Sequence, residues 1–409
     1  MSTLTEKNKV RKFTCCPYQE TFIGENVIKS SPSTGTSSIF DCNYFFLRDY
    51  KEKNCENGFH TIKVLEDPWI VLKSIPNAQI LNKQLVKTSE NQLVYGLQYH
   101  HVTQPNLKKV SDDFKIDYVI RIESNPPIVY PVAVESESFD EVFFLGETDN
   151  FGHWLFEFLP KLLWYKKYLL DAGINVPILV GEDVPERWLA VGDPLGISAK
   201  NFHKVKLGKT LNVKKLYICG PSVGRSLKQK RFVRIADICE LRVLFRNYYK
   251  LDLIPQNIDI LFESREKARW RKISNEDKLI NKVKNELGLT TEKFFPESMT
   301  FREQIEKLQA CRYFVGTGAS LPFSFFMSKD SVLVEVRHPS GSGFATCIAS
   351  DIFRIPWYRP KTIAGEKNSG PTLIDADLQI DESEFLESIN SFEKNFATTH
   401  WIEKHTRKK

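Results

Sequence analysis

No stretch of this 409-residue chain is long and uncharged enough for a membrane-spanning helix. Residues 1–20, MSTLTEKNKVRKFTCCPYQE, are basic but lack the apolar run of a signal peptide. Together these absences lead to the expectation of a soluble, cytoplasmic protein. A CxxC pair is missing too, and the eight cysteines are scattered without a His/Cys spacing suited to zinc. The adjacent Cys15 and Cys16 are the one irregularity, and reduced thiols are their simplest reading. No solenoid period repeats, which excludes stacked-repeat architectures. The excess of positive charge is small, 57 basic against 51 acidic residues for a net +6. Such a balance does not point to nucleic acid, but it is compatible with phosphorylated ligands or an anionic membrane surface. Neither GxGxxG nor the lysine of a Walker loop is present.

What is present is an ordinary globular composition, 42% hydrophobic and 26% charged, on a chain longer than one core usually supports. Residues 1–135 alternate β-prone runs (TIKVL, WIVL, DYVIRI, PIVYPVAV) with turn clusters such as SSPSTGTSS and ESNPP, so a strand-rich N-terminal region is predicted. After it the texture changes. EVFFLG, VPILVG and KKLYICG read as buried strands separated by helical segments, the pattern of βαβ units on a parallel sheet. The segment from Ser222 to Lys250 is basic, with Phe232, Ile235, Ile238, Leu241, Leu244 and Phe245 near helical spacing, and predicts one long amphipathic helix over 222–250. Its charges suit a solvated face or peripheral contact with a membrane. Pro255 then closes that pattern, and IDILFES, SNEDKLINKVKNELG, FREQIEKLQACR, YFVGTGAS and SVLVEVRHP repeat the strand-helix rhythm before a terminal helix capped near Asp381. The fold class is therefore α/β. The expected organisation is a strand-rich region (1–135) followed by two Rossmann-like domains, 136–255 and 256–409, facing a cleft.

Three stretches could carry chemistry. In GETDNFGHWLFEFLPKLLW, residues 146–164, Asp149 or Asn150 can cap a helix whose first turn holds His153, where exposed N–H groups favour a neutral imidazole. His153, Glu157 and Lys161 recur one turn apart, either as a solvated stripe or as a proton-handling group. In FESREKARWRKISNE, residues 262–276, Arg265, Arg269, Arg271 and Lys272 precede a helix start, an anion site in outline or a basic loop paired with Glu263, Glu266 and Glu276. In YFVGTGASLPFSFFM, residues 313–327, a strand runs into small residues that would let backbone approach a pyrophosphate, or simply make a tight turn. Glu335, at the end of SVLVEV, could accept hydrogen bonds from ribose hydroxyls.

The order and spacing of NFGHWLFEFLPKL, SREKARWRKISNEDKL and FREQIEKLQACRYFVGTGASLPFSFFM with VLVEV resemble the glycosyltransferase family 61 domain, over about residues 135–340. The resemblance implies a GT-B-like fold with acceptor on the N-terminal and nucleotide sugar on the C-terminal Rossmann-like domain. It further implies inverting transfer to a glycan or polysaccharide hydroxyl, as in capsular polysaccharide biosynthesis, with no metal and no cofactor beyond the nucleotide-sugar substrate. Catalytic roles then fall to His153, with Asp149 or Glu157 as orienter or substitute base. Donor contacts fall to Arg265, Arg271, Asn275, Glu276, Gly316, Thr317, Gly318, Ala319 and Glu335. The family usually writes its glycine turn GxHGAGL, whereas Thr317 stands at the histidine position here. That departure motivates two other expectations: a non-catalytic carbohydrate- or nucleotide-binding protein of the same fold, and a scaffold in surface-polysaccharide assembly. Asp375-Ala376-Asp377 matches the DxD of metal-dependent GT-A enzymes, but a surface turn is its expected role.

Overall fold

The computed structural model describes residues 9–17, 27–29, 45–46, 63–64, 71–81, 85–87, 89, 92–95, 118–122, 128–132, 135–146, 148, 150–206, 209–219, 223–225, 231–233, 235–268, 271–317, 321–338, 353, 355, 357–364 and 376–406. The chain forms two compact units, Met1–Arg48 with Ile62–Leu244, and Asp49–Thr61 with Phe245–Lys409.

In the first unit, four parallel strands lie in the order Phe202–Val205, Ile178–Gly181, Glu135–Gly146, Lys209–Cys219. Numbered along the chain from Glu135–Gly146, that order is 3-2-1-4. Strand Val71–Leu81 then adds antiparallel to Lys209–Cys219, so strands expected in a separate N-terminal region continue the same eleven-stranded sheet. Burial explains the lengths of the two central strands. Along Glu135–Gly146, residues 136–141 alternate between exposed and half-buried, and every residue from Val142 to Gly146 is buried. Lys209–Cys219 likewise alternates at its start and is buried throughout its last four residues. One face of the sheet is thus apolar along its length, closing over Ile75, Ile80, Val142, Phe144, Leu179, Leu216 and Ile218. Among the described residues, the other face is buried only toward the carboxyl ends of the strands.

The single basic helix expected over 222–250 is corrected by the structure. Val223–Arg225 and Arg231–Val233 pair as an antiparallel hairpin, and the helix is Ile235–Tyr249. Val223, Phe232 and Val233 are β-formers flanked by Gly224 and serines, so the local propensity there is for strand. Within the first unit this helix is held by Trp164 Nε1–H donating to the buried Asp237 (3.1 Å) and by the Lys167–Glu240 pair (2.6 Å).

The second unit is a five-stranded parallel sheet in the order Thr291–Phe294, Ile258–Glu263, Cys311–Thr317, Val332–Val336, Trp357–Tyr358. Along the chain that order is 2-1-3-4-5. Helix Phe301–Ala310 begins with a capping box, Thr300 and Glu303 each accepting the other's backbone N–H, and buries Phe301, Ile305 and Leu308. The terminal helix Glu382–Thr406 is capped by Asp381, which accepts from Glu384 N–H at 3.0 Å, and packs Phe385, Leu386 and Ile389 on the sheet.

In open α/β sheets, ligands collect outside the carboxyl ends of strands where the strand order reverses. In the first unit the reversal lies between strands ending at Gly146 and Cys219, in the second between strands ending at Glu263 and Thr317. Among the described residues no helix is long and apolar enough to cross a membrane.

Candidate active site

At the first reversal point, Gly146 takes a positive φ of 106° beside a bulge at Phe144/Gly146, a conformation that turns the strand away from its partner. Asn150 then caps the following helix, its side chain accepting from Gly152 N–H (2.9 Å) and His153 N–H (3.3 Å), while its own N–H donates to the Thr148 hydroxyl (3.1 Å). Asp149, the other expected cap and orienter, lies outside the described residues.

The helix widens at once into a π turn, Trp154–Phe158, closed by Leu159 N–H reaching back to Trp154 O. Pro160 supplies the reason: it has no N–H to give, and its ring would crowd the Phe156 carbonyl in a regular α-helix. Within this turn His153 Nδ1 and Glu157 Oε1 lie 2.5 Å apart. Glu157 is only 4% exposed, whereas the His153 side chain is 29% exposed. With Glu157 ionised, Nδ1 carries the proton in that contact, and Nε2 is then the basic nitrogen of the ring.

Lys161 completes the stripe from inside. It is 1% exposed, its ammonium donates to Leu145 O at 3.1 Å and sits 4.7 Å from the centre of the Phe158 ring. Burial lowers its pKa to about 8, while the charges of Cys219 and Glu157 pull the other way. A solvated stripe, one of the two readings the spacing left open, is therefore excluded for Glu157 and Lys161.

At the second reversal point, buried Glu263 ends the first strand and faces Thr317 at the end of the third. Glu263 Oε2 accepts both the Thr317 N–H (2.8 Å) and the Thr317 hydroxyl (2.9 Å), and Oε1 meets Arg265 Nη1 at 3.3 Å. Gly316 is buried in the same strand, while Gly318 and Ala319 lie outside the described residues. The Ser264 hydroxyl, buried beside Glu263, has no hydrogen-bond partner among the described residues. Arg271 is held at φ 60°, in the left-handed region that side chains other than glycine and asparagine rarely adopt, so the loop imposes its direction.

That loop is pinned by a segment far along the chain. Lys272 N–H donates to Asp377 (2.9 Å), Ser274 N–H to Leu378 O (2.8 Å), and the Asn275 amide exchanges two hydrogen bonds with the Ile380 backbone (2.8 and 3.1 Å). The amide of Asn275 is thus engaged in shaping the loop, and the Asp377 of the DxD-like triplet anchors its backbone; Asp375 lies outside the described residues. Glu276 is buried against Lys293 (3.1 Å), which also meets Glu266 and Asp277. Burial works against the charge on that ammonium, and the three carboxylates outweigh it, raising the Lys293 pKa.

Glu335 is fully buried, with Oε2 accepting from Arg359 Nε (3.1 Å) and Nη2 (2.7 Å) and Oε1 lying 3.2 Å from Arg337 Nη1. With guanidinium groups at both oxygens, this carboxylate presents its arginines to the neighbourhood rather than itself. Arg337 and Arg359 escaped the sequence reading, although Glu335-x-Arg337 at a strand end puts both residues on one face and was a usable signal. Among the described residues no group of three His, Cys, Asp or Glu is placed to hold a metal ion.

The structure thus gathers His153, Glu157 and Lys161 in the first unit, and Glu263, Arg265 and Thr317 in the second, each at a point where strand order reverses. No curated protein matches the chain. A family model described as Glycosyltransferase 61 matches residues 151–334, a span that opens one residue after the Asn150 cap and closes within strand Val332–Val336. Over that span the chain is similar to the glycosyltransferase 61 family.

Proposed function

We propose that this chain is a metal-independent inverting glycosyltransferase that moves a hexosyl or pentosyl group from a nucleotide sugar to a glycan hydroxyl, with two Rossmann-like domains of GT-B type. The observation that carries this reading is the 2.5 Å contact between His153 Nδ1 and the buried Glu157. In the proposed step, Nε2 takes the acceptor hydroxyl proton as the oxygen attacks the anomeric carbon. The bond from that carbon to the leaving phosphate oxygen breaks on the opposite face, and its electron pair departs with the diphosphate. Glu157 then faces an imidazolium, whose charge it stabilises, and Lys161 offsets the buried carboxylate.

Charge on the leaving group falls to the second unit. Arg265, at the carboxyl end of the first strand, and Arg271, in the strained loop, are assigned to the diphosphate. The strand order 2-1-3-4-5 supports that placement, because Arg265 follows a strand that borders the reversal. Glu263 and Thr317 are assigned to holding Arg265 and the glycine turn in register. His153→Ala should lower transfer roughly 10²- to 10⁴-fold with nucleotide affinity retained. Transfer at the unaltered rate would remove the assignment.

A non-catalytic binding protein of the same fold is the second reading, favoured by the Thr317 hydroxyl and N–H both being committed to Glu263. Nucleotide-induced thermal stabilisation without donor turnover is its signature.

A further inference from the structure

We propose, resting on the reading that the second unit holds a nucleotide-sugar donor, that Arg359 recognises a carboxylate on the transferred sugar, so that the donor is a nucleotide-linked uronate. Register places this residue at the ligand edge of the sheet. Phe294 pairs with Glu263 and Gly316 with Glu335, while Phe262 pairs with Val315, which makes Glu263 the neighbour of Gly316. Arg359 follows strand Trp357–Tyr358 and meets Glu335. Across the carboxyl ends of the five strands the row therefore reads Phe294, Glu263, Gly316, Glu335, Arg359, on the face opposite the core of Phe262, Val315, Val334 and Tyr358.

Arg359 is held on two sides. Its Nε and Nη2 both donate to Glu335 Oε2 (3.1 and 2.7 Å), and its guanidinium carbon lies 5.1 Å from the centre of the Trp357 ring. Those hydrogen bonds use the side-on edge of the planar group. The end-on edge, Nη1 with the remaining N–H of Nη2, meets no partner among the described residues, and the side chain is 27% exposed. A guanidinium fixed at one edge and one face, with its other edge open, is preorganised for a planar acceptor with two oxygens. Arg337 differs: it is buried against Glu335 Oε1 and holds that carboxylate in place.

Charge selects the occupant. Glu263 and Arg265 balance, whereas Glu335 faces both Arg337 and Arg359, which leaves one surplus positive charge. Lys361, exposed two residues further on, adds a second that solvent screens. Among the described residues, the acids past the strand ends are engaged elsewhere or lie apart. Glu266, Glu276 and Asp277 meet Lys293, and Asp377 accepts the Lys272 N–H. Asp381, Glu382 and Glu384 form the cap and first turn of the terminal helix, which packs on the other face, and Glu297 follows the opposite edge strand. The occupant is therefore an anion. Glu263 and Glu335 stand two strand spacings apart, about 10 Å, so a diphosphate assigned to Arg265 and Arg271 leaves Arg359 to another oxyanion of the donor. One open guanidinium edge matches the single charge and two coplanar oxygens of a carboxylate.

The test is calorimetry on the full chain with UDP, GDP and donor pairs that differ at the carboxylate: UDP-glucuronate against UDP-glucose, UDP-galacturonate against UDP-galactose, and GDP-mannuronate against GDP-mannose. At least one uronate should bind about tenfold or more tighter than its uncharged counterpart, the scale of a charge-assisted hydrogen bond. Arg359→Gln, whose amide can still donate to Glu335, should erase that ratio, and Arg359→Lys, which keeps the charge but loses the two-pronged edge, should retain only part of it. Equal affinities within every pair in the wild type overturn the proposal, whether or not the variants fold. A ratio that survives Arg359→Gln overturns it too. So does an equal loss for UDP and UDP-glucuronate in that variant, which would put a phosphate at Arg359. Nucleotides that bind with no uronate preference overturn this proposal and leave the transferase reading standing, whereas failure of every nucleotide and nucleotide sugar to bind overturns both.

Discussion

Replacing Lys161 by Met tests the buried half of the polar stripe. Burial holds the Lys161 pKa at about 8 against an ordinary value of 10.5. Between those values the unfolded chain binds a proton that the folded chain does not, so the stability of the wild type should rise with pH as Lys161 sheds its charge. The sign is opposite to that of a lysine gaining a surface partner. Over the whole window the difference in pKa corresponds to roughly 3 kcal/mol, and between about pH 7 and pH 9.5 to about 2 kcal/mol. Methionine keeps an unbranched chain of similar length against Phe158 and removes the titrating amine. Loss of the hydrogen bond to Leu145 O is the same at both pH values and cancels in the difference. Urea unfolding of both proteins at the two pH values measures it: the stability of wild type relative to Lys161→Met should climb by about 2 kcal/mol. A difference constant to within about 0.5 kcal/mol would show that the ammonium is neither desolvated nor perturbed, and the buried-stripe argument would fall.

The other predictions concern the second unit and the reaction. Arg265→Ala and Arg271→Ala should each weaken nucleoside diphosphate binding roughly 10- to 100-fold, the scale of one charge-assisted hydrogen bond; unchanged affinity in both, measured by calorimetry, would dismiss the phosphate assignment. Glu335→Gln leaves two guanidinium groups facing a neutral amide in a dry setting and should cost roughly 3–5 kcal/mol, visible as a lowered Tm; a shift of less than a degree would contradict the buried cluster. EDTA should leave the transfer rate unchanged, and a rate restored only by added divalent metal would reverse the metal-independent reading.

Much of the site was legible locally. The spacing of His153 and Glu157 placed them one turn apart on one helix, and the polar cap before it was visible in TDN. What the spacing did not contain was the side on which the stripe would lie. Lys161 reads as a solvated residue in any periodicity argument, and becomes a buried one only because the Leu145 carbonyl, on the preceding strand, lies against it. The π turn was likewise readable after the fact from Pro160, but the depth to which Glu157 is buried follows from packing around Trp154, Phe156 and Phe158. Over 222–233 a helical spacing of apolar residues competed with β-forming side chains, and pairing with a neighbouring strand decided it.

The sequence by itself determined the alternation of strands and helices, the caps at Asn150, Thr300 and Asp381, and the residue types at the ends of the strands, because each of these depends on side chains a few positions apart. Only the tertiary structure decided the strand orders 3-2-1-4 and 2-1-3-4-5, the joining of Glu263 to Thr317, and the clamp that Asn275 makes on Ile380. Those partners are separated by tens to a hundred residues. Their meeting is set by which apolar faces bury one another, a property of the whole chain that no local pattern records.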